Sequence, residues 1–356
     1  MKILYLYSEL SPYLRPVFET YVKTYGVELH VVHWDHLRLT PYQPVVMDGV
    51  SYYQRSEYDL TKLRSLTNEI APDLIYVAGW MDMDYLRITR KWRAQGTPVV
   101  VGFDDVWRGS FRQRLGSLIL RSVGRLFFSQ AFVSFARQYE FAKRMGFSDE
   151  NIIYNLLSCD TNLFHESHSR LPGKRINYPR VFVYVGRFSQ EKGIDLLVQA
   201  FELYRNEFAG SWSLLCVGGG NLRHLFEGVE DLKVLDFVDQ AEMLSIFDTS
   251  GAFVMPSYRD MCPLAVHEAA SACLPLILSS GVGNKSTFLI DGFNGFSFNA
   301  SSVRGLALAM HKISSLSDTE LIEMSEHSYV LSKRVSPEMT AASLMSVLLN
   351  NNYSGS

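Results

Sequence analysis

Four side chains in this 356-residue chain could do chemistry together: Arg187, Lys192, Asp260 and Glu268. The run Val181–Val185 ends in GRFSQEKGIDLLVQAF, where Gly186 permits a tight exit and Gly193 opens an amphipathic pattern. Ile194, Leu197, Val198 and Phe201 share one side of that pattern. A helix N-terminus beside two cations suits a diphosphate, because backbone N–H groups, the helix dipole and full charges act together. On spacing alone, a strand-to-helix loop with a solvated Arg and Lys fits equally well. Downstream, PSYRDMCPLAVHEAASACLPLILSS puts Asp260 in a loop, Pro263 at a helix's first turn and Glu268 inside that helix. Both carboxylates can then border one pocket, with the amides of Cys262 and Leu264 between them. A carboxylate that accepts two vicinal hydroxyls is a charge-assisted grip for a sugar or a ribose.

Short apolar runs alternating with helical patterns must hold these residues, which predicts parallel sheets covered by helices on both faces. The first series is Lys2–Tyr7, Glu28–Trp34, Leu74–Ala78, Pro98–Gly102, Ala131–Ser134 and Ile152–Tyr154. The second is Val181–Val185, Ser213–Val217, Lys233–Phe237, Ala252–Met255, Pro275–Leu278 and Phe296–Phe298. Most are continuously apolar, as strands buried on both faces are. The polar stretch Ser167–Pro179 between the series reads as a connection. The expected organisation is an α/β chain of two Rossmann-like, doubly wound domains, 1–168 and 180–335, with 169–179 as linker. The two should face each other across a cleft, with ligand at the carboxyl ends of the strands. A last helix over 336–352 has the length to pack back on the first domain.

GRFSQEKG, the glycine turn Gly218-Gly219-Gly220, Asp260-x7-Glu268 followed by AASACLPLILS, and IDGFNGFSF occur in that order. Together they resemble the retaining GT-B glycosyltransferases of family 4, also called group 1, over Val181–Phe298. The resemblance implies transfer of a sugar, of hexose type, from a UDP- or GDP-linked donor to a hydroxyl of a glycan or lipid-linked acceptor. Cell-surface polysaccharide biosynthesis is the implied setting, and no metal or other cofactor is implied. Arg187 and Lys192 would hold the donor diphosphate, with Gly186, Gly218 and Gly219 shaping the turns beside it. Asp260 would take hydroxyls of the transferred sugar and Glu268 those of the ribose. Met261, Cys262, Pro263 and Leu264 would form the loop that presents amides to phosphate, and the base would lie near Phe237 and Val238. The family usually has Glu where this chain has Asp260, and the shorter side chain leaves the sugar's identity open.

The first domain matches the family less well. Where many relatives carry a Gly-Gly loop after the first strand, this chain has SELSPYLRPVFE, and where they carry a catalytic His it has GFDDVWRG. Asp104 and Asp105 occupy that place. Two readings stand: an Asp that orients an acceptor or stabilises developing positive charge, or Asp105 as the N-cap of the following helix. Asp82 and Asp84 mimic a metal-binding pair, but Arg, Lys and a helix N-terminus can neutralise a leaving diphosphate without an ion. His30, His33 and His36 fall at spacings that would point neighbours to opposite faces of a strand and read as surface residues. Between Asp105 and Glu140 there is no acidic residue, whereas Arg108, Arg112, Arg114, Arg121, Arg125 and Arg137 all occur. Phe111, Leu115, Leu118, Ile119, Leu126 and Phe127 are interleaved with them. Arg108–Arg125 therefore reads either as a face for an anionic membrane surface or as a core-packing helix with solvated arginines. Arg87, Arg90, Lys91 and Arg93 form a second basic cluster.

A net charge of -3 gives no reason to expect nucleic acid as a partner. Cys159, Cys216, Cys262 and Cys273 are scattered, without metal-ligand spacing, which fits a reducing compartment. The N-terminus does not resemble a signal peptide, and no run approaches the ~20 apolar residues of a membrane span. The expectation is a cytoplasmic protein, with attachment to the inner face of the membrane left open. Two alternatives keep a place beside transfer. A non-catalytic nucleotide-sugar-binding or scaffold member of the same fold would lack the usual His. An NAD-dependent oxidoreductase is disfavoured, because the glycine turn lacks GxGxxG spacing.

Overall fold

The computed structural model describes residues 1–36, 44–174 and 176–353. It divides into two compact units, Met1–Ser158 with Val335–Ser356, and Cys159–Arg334. The first unit runs β1 (Lys2–Leu6), α1 (Leu14–Tyr25), β2 (Glu28–His33), β3 (Val50–Gln54), α2 (Leu60–Ile70), β4 (Leu74–Ala78) and α3 (Met83–Ala94). It continues through β5 (Val99–Phe103), α4 (Phe111–Val123), β6 (Gln130–Val133), α5 (Ala136–Arg144) and β7 (Ile152–Ile153). The second unit runs α6 (Thr161–Phe164), α7 (Glu166–Lys174), β8 (Val181–Val185), α8 (Ile194–Glu207), β9 (Ser213–Val217), β10 (Leu232–Leu235) and α9 (Gln240–Asp248). It ends with β11 (Ala252–Met255), α10 (Leu264–Ser271), β12 (Leu276–Ser279), α11 (Lys285–Phe288), β13 (Gly295–Phe298), α12 (Val303–Ser314) and α13 (Asp318–Ser332). The final helix, α14 (Pro337–Tyr353), returns to the first unit.

Both sheets are wholly parallel. The first has the order β3-β2-β1-β4-β5-β6-β7 and the second β10-β9-β8-β11-β12-β13. Side-chain alternation along each strand explains why both faces need helices. In β1, Leu4 and Leu6 join a core that α2, α3 and α5 cover through Leu63, Ile88 and Phe141. Ile3 and Tyr5 join a second core on the opposite face, closed by Phe18 and Tyr21 of α1 and by Ala341, Leu344 and Met345 of α14.

Strand ends differ from the sequence-based expectation by a residue or two, and β3 was not expected. It lies at the sheet edge with no fully buried residue, and Ser51 and Gln54 dilute its apolar character. The expected linker is a larger correction. The unit boundary falls at Ser158, ahead of the polar stretch, and residues 166–174 are the helix α7 within the second unit. Its buried residues are Ser167, Leu171 and Lys174, a stripe at i, i+4 and i+7 in which only Leu171 is apolar. Ser167 Oγ donates to Asp248 at 2.6 Å, and Lys174 Nζ donates to the carbonyls of Phe247 and Ser250. Burial lowers the pKa of Lys174 to about 8. Residue 175, within the expected connection, lies outside the described residues.

Candidate functional site

The exits of β8, β9 and β11 and the start of α10 gather most of the residues singled out above. The glycine turn is there because two backbones touch. At Gly218, with φ +139°, a Cβ would fall on the carbonyl oxygen of Gly186. The Phe188 N–H donates to Gly219 O at 2.8 Å, and Gly218 N–H donates to Leu235 O at 3.0 Å. The exits of β8, β9 and β10 are thereby laced into one rim, with Phe237 strongly exposed and Val238 half-buried just past β10. Gly193 has φ +70° and caps α8; a Cβ there would collide with the carbonyl of Pro256 at the end of β11.

Lys192 and Asp260, 68 residues apart, form an ion pair in which both side chains are largely shielded from solvent. Expected as separate grips for diphosphate and sugar, the two side chains here neutralise each other. Arg187 is exposed and pairs with Glu191 at 2.9 Å. The Asp260 loop is clamped from both sides. Its N–H donates to Gly281 O at 3.1 Å and its carbonyl accepts Gly283 N–H at 2.8 Å, while Asn284 Nδ2 donates to Pro263 O at 2.9 Å. On the other side, Asp195 Oδ2 accepts Tyr258 Oη and Gln190 Nε2, both at 3.0 Å. The loop carrying Lys192 and the loop carrying Asp260 thus share one anchor. Sequence reading missed Asp195: an acid in a helix's first turn looks like a dipole partner, and nothing in its spacing announces Tyr258.

Pro263 is the residue before α10 rather than its first. Met261, Cys262 and Leu264 are half-buried around it. Glu268, on α10, is half-buried too, and among the described residues its carboxylate has no hydrogen-bond or ion-pair partner. Burial alone raises its pKa to about 7. A carboxylate held partly out of water without a donor costs free energy unless something supplies one. The orientation of α10 is fixed by His267, also missed in the sequence. Its Nδ1 accepts the Cys159 N–H at 3.1 Å, and its Nε2 lies 3.0 Å from Ser332 O. The first contact leaves the proton on Nε2, so His267 serves as a neutral pin.

In the first unit, Asp104 follows β5 and is exposed. Asp105 is not the N-cap of α4; Ser110 is, accepting Gln113 N–H. Asp105 instead accepts Val106 N–H at 2.8 Å and Arg108 Nη2 at 2.9 Å and so ties its own loop. Asp82 and Asp84 are engaged by Arg55, with Nε–Oδ2 of 2.8 Å to Asp82 and Nη2–Oδ2 of 2.9 Å to Asp84. Asp82 also caps α3. His30 and His33 are buried rather than on the surface, because β2 is an inner strand; His30 lies within hydrogen-bond distance of Tyr53 Oη and Glu28. The α4 helix has no fully buried residue, and among its apolar side chains the half-buried Leu120 packs against the first core.

Anabaena HepE in complex with UDP superposes with a TM-score of 0.73 at 16% identity, over 98% of this chain and 100% of that one. The chain has the GT-B fold. Residues 179–315 match the family model described as glycosyl transferases group 1. That segment contains every second-unit residue of the GT-B rim described above. A glycogen synthase of Mycobacterium tuberculosis is 28% identical over 141 residues, 38% of this chain and 34% of that protein. The capsular polysaccharide biosynthesis glycosyltransferase CapM of Staphylococcus aureus is 24% identical over 190 residues, 51% of this chain and 48% of that protein. The matched segments thus span between a third and a half of those relatives. Among the described residues no helix is long and apolar enough to cross a membrane.

Proposed function

We propose that this chain is a retaining glycosyltransferase of family 4 that moves a hexose from a nucleoside diphosphate, UDP or GDP, to a hydroxyl of a glycan or lipid-linked acceptor. The observation that carries the reading is Glu268, an unpartnered half-buried carboxylate on the helix that follows the Asp260 loop. Vicinal ribose hydroxyls are the donors it lacks. The UDP bound in HepE supports UDP as the nucleotide, and CapM supports a setting in polysaccharide biosynthesis.

The chemistry then follows from charge. The bond between the anomeric carbon and the phosphate oxygen breaks with its electron pair going to the diphosphate. Arg187 and Lys192 meet that charge as it develops, without a metal ion. Lys192 turns from Asp260 toward phosphate, which frees Asp260 to accept a hydroxyl of the transferred sugar. The acceptor oxygen bonds to the same face of the anomeric carbon, and its proton passes to the departing phosphate. Asp104 is proposed to stabilise the sugar as positive charge builds. Asp105, committed to its loop, supports it. The test is incubation with labelled UDP- and GDP-sugars across an acceptor panel. Transfer with retained configuration, lost in Arg187→Ala, is expected; no turnover with any donor would sink the reading.

We further propose that the chain works on an anionic membrane surface through α4. Phe111, Leu115, Leu118 and Ile119 are all exposed there, alongside exposed Arg112, Arg114 and Arg121. An apolar stripe flanked by cations suits the headgroup boundary of an anionic bilayer. Sedimentation with phosphatidylglycerol vesicles but not phosphatidylcholine vesicles is expected, and equal binding to both would refute the charge argument.

A further inference from the structure

The first unit carries a cavity that the transfer chemistry does not use. It measures about 460 Å³ and is lined by Trp34, Arg55, Ser56, Tyr58, Asp59 and Asp82, with His36, which also follows β2, completing the lining. Trp34 follows β2, the next four follow β3, and Asp82 follows β4, so it opens at the carboxyl ends of three strands of the first sheet. That edge is where open parallel sheets hold ligands, and the volume lies in the range that takes a small molecule.

The chemistry of the lining restricts the occupant. Arg55, its one permanent cation beside the exposed His36, is already committed: it reaches Asp82 and Asp84 and donates to the Tyr58 carbonyl. Two carboxylates line the cavity and a third stands behind it, so the local balance is negative and a phosphate or carboxylate would be repelled. Asp59 and Asp82 are fixed as N-caps, each accepting backbone N–H groups of the helix that follows. Asp59 Oδ1 takes Lys62 N–H at 2.8 Å. Ser56 is pinned by Asp35. Acceptors exceed free donors, so a ligand must bring donors of its own. Trp34 and Tyr58 are half-buried against the first core and offer apolar surface beside those acceptors.

We infer that this cavity binds a hydroxyl-rich, non-anionic ring, that is, a neutral or amino sugar of the acceptor. Hydroxyl or ammonium donors meet the carboxylates while ring C–H groups cover the aromatic surface. The pocket is set before binding because its charged residues already hold one another. The inference rests on the transfer reading only in calling the sugar an acceptor.

Saturation-transfer NMR on the full chain tests it with three probes: maltotriose, fully deacetylated chitotriose and trigalacturonate. Binding of maltotriose or the amino trisaccharide is expected, weakened at least tenfold in Trp34→Ala. Ser56→Trp, at an exposed position, fills the cavity without touching the core and should weaken it as much. UDP affinity should change less than twofold in both variants. Binding of trigalacturonate alone, of none of the three, or of a neutral or amino trisaccharide undiminished in Ser56→Trp would overturn the inference. A chain that binds the trisaccharide but never UDP would keep the pocket and discard the transfer reading.

Discussion

The carboxyl edges of the two sheets solve the same problem in opposite ways. At the second, loops are laced backbone to backbone, with Gly218 against Gly186 and Gly193 against Pro256, and one carboxylate, Glu268, is left without a donor. At the first, Arg55 gathers Asp82 and Asp84, and Asp105 gathers Arg108, while Asp104 after β5 has no ion-pair partner among the described residues. An edge that leaves an ionisable group unsatisfied declares its ligand's chemistry. Where charges pair within the edge, as Arg55 does with Asp82 and Asp84, the pairs hold the pocket's shape before a ligand arrives.

The contrast can be broken at several points. Gly218→Val forces a side chain onto the Gly186 carbonyl in a backbone conformation that branched residues avoid. A loss of about 3–5 kcal/mol is expected by denaturant unfolding; a smaller change, under ~1 kcal/mol, would mean the lacing is loose. Glu268→Gln should lower nucleotide affinity by about tenfold to a hundredfold in calorimetry, as charge-assisted hydrogen bonds to the ribose disappear. Unchanged affinity would remove Glu268 from the site.

The same residue makes a prediction about pH. Its folded pKa, about 7, is raised above the ordinary value for Glu. The protonated form is thus the favoured one in the fold, and that contribution is present below about 4.5 and lost as pH rises through 7. The Gln variant should therefore be the more stable protein at pH 8, by about 1–2 kcal/mol after allowing for solvent access, and no more stable at pH 4. Nucleotide affinity of the unmodified protein should run the other way and fall as pH drops below 7. A Gln variant with no gain in melting temperature at pH 8 would contradict the burial of this carboxylate. The smallest effect is expected on α4: Phe111→Ser with Leu118→Ser should change unfolding stability by less than ~0.5 kcal/mol while abolishing vesicle binding. A larger loss would show that these side chains pack somewhere.

The alternating apolar runs made both sheets legible from sequence, because parallel strands buried on both faces cannot be polar. The edge strand β3 and the helix α7 escaped, since each buries few residues and α7 buries a serine and a lysine in its stripe. The donor-type residues were legible because Arg187, Lys192, Asp260 and Glu268 lie on one continuous segment with fixed offsets. What joins them was not: the Lys192–Asp260 pair, the Asp195–Tyr258 anchor and the His267 pin are contacts between residues 63 to 108 apart, which no local pattern records. For α4 the sequence offered two readings, and the helix combines features of each: Leu120 packs against the first core while Phe111 and Leu118 are exposed.

The place of α14 in the chain constrains the order of folding. The helix that closes the second core of the first sheet comes after the whole of the second unit in the chain. During synthesis, Tyr5, Tyr21 and Leu29 must wait, uncovered on one side, while about 175 intervening residues emerge and fold. The second unit has all its strands in one stretch and can close first, so the order of folding should be the reverse of the order of translation. A chain halted at residue 334 should leave its N-terminal part open to protease and its C-terminal part resistant.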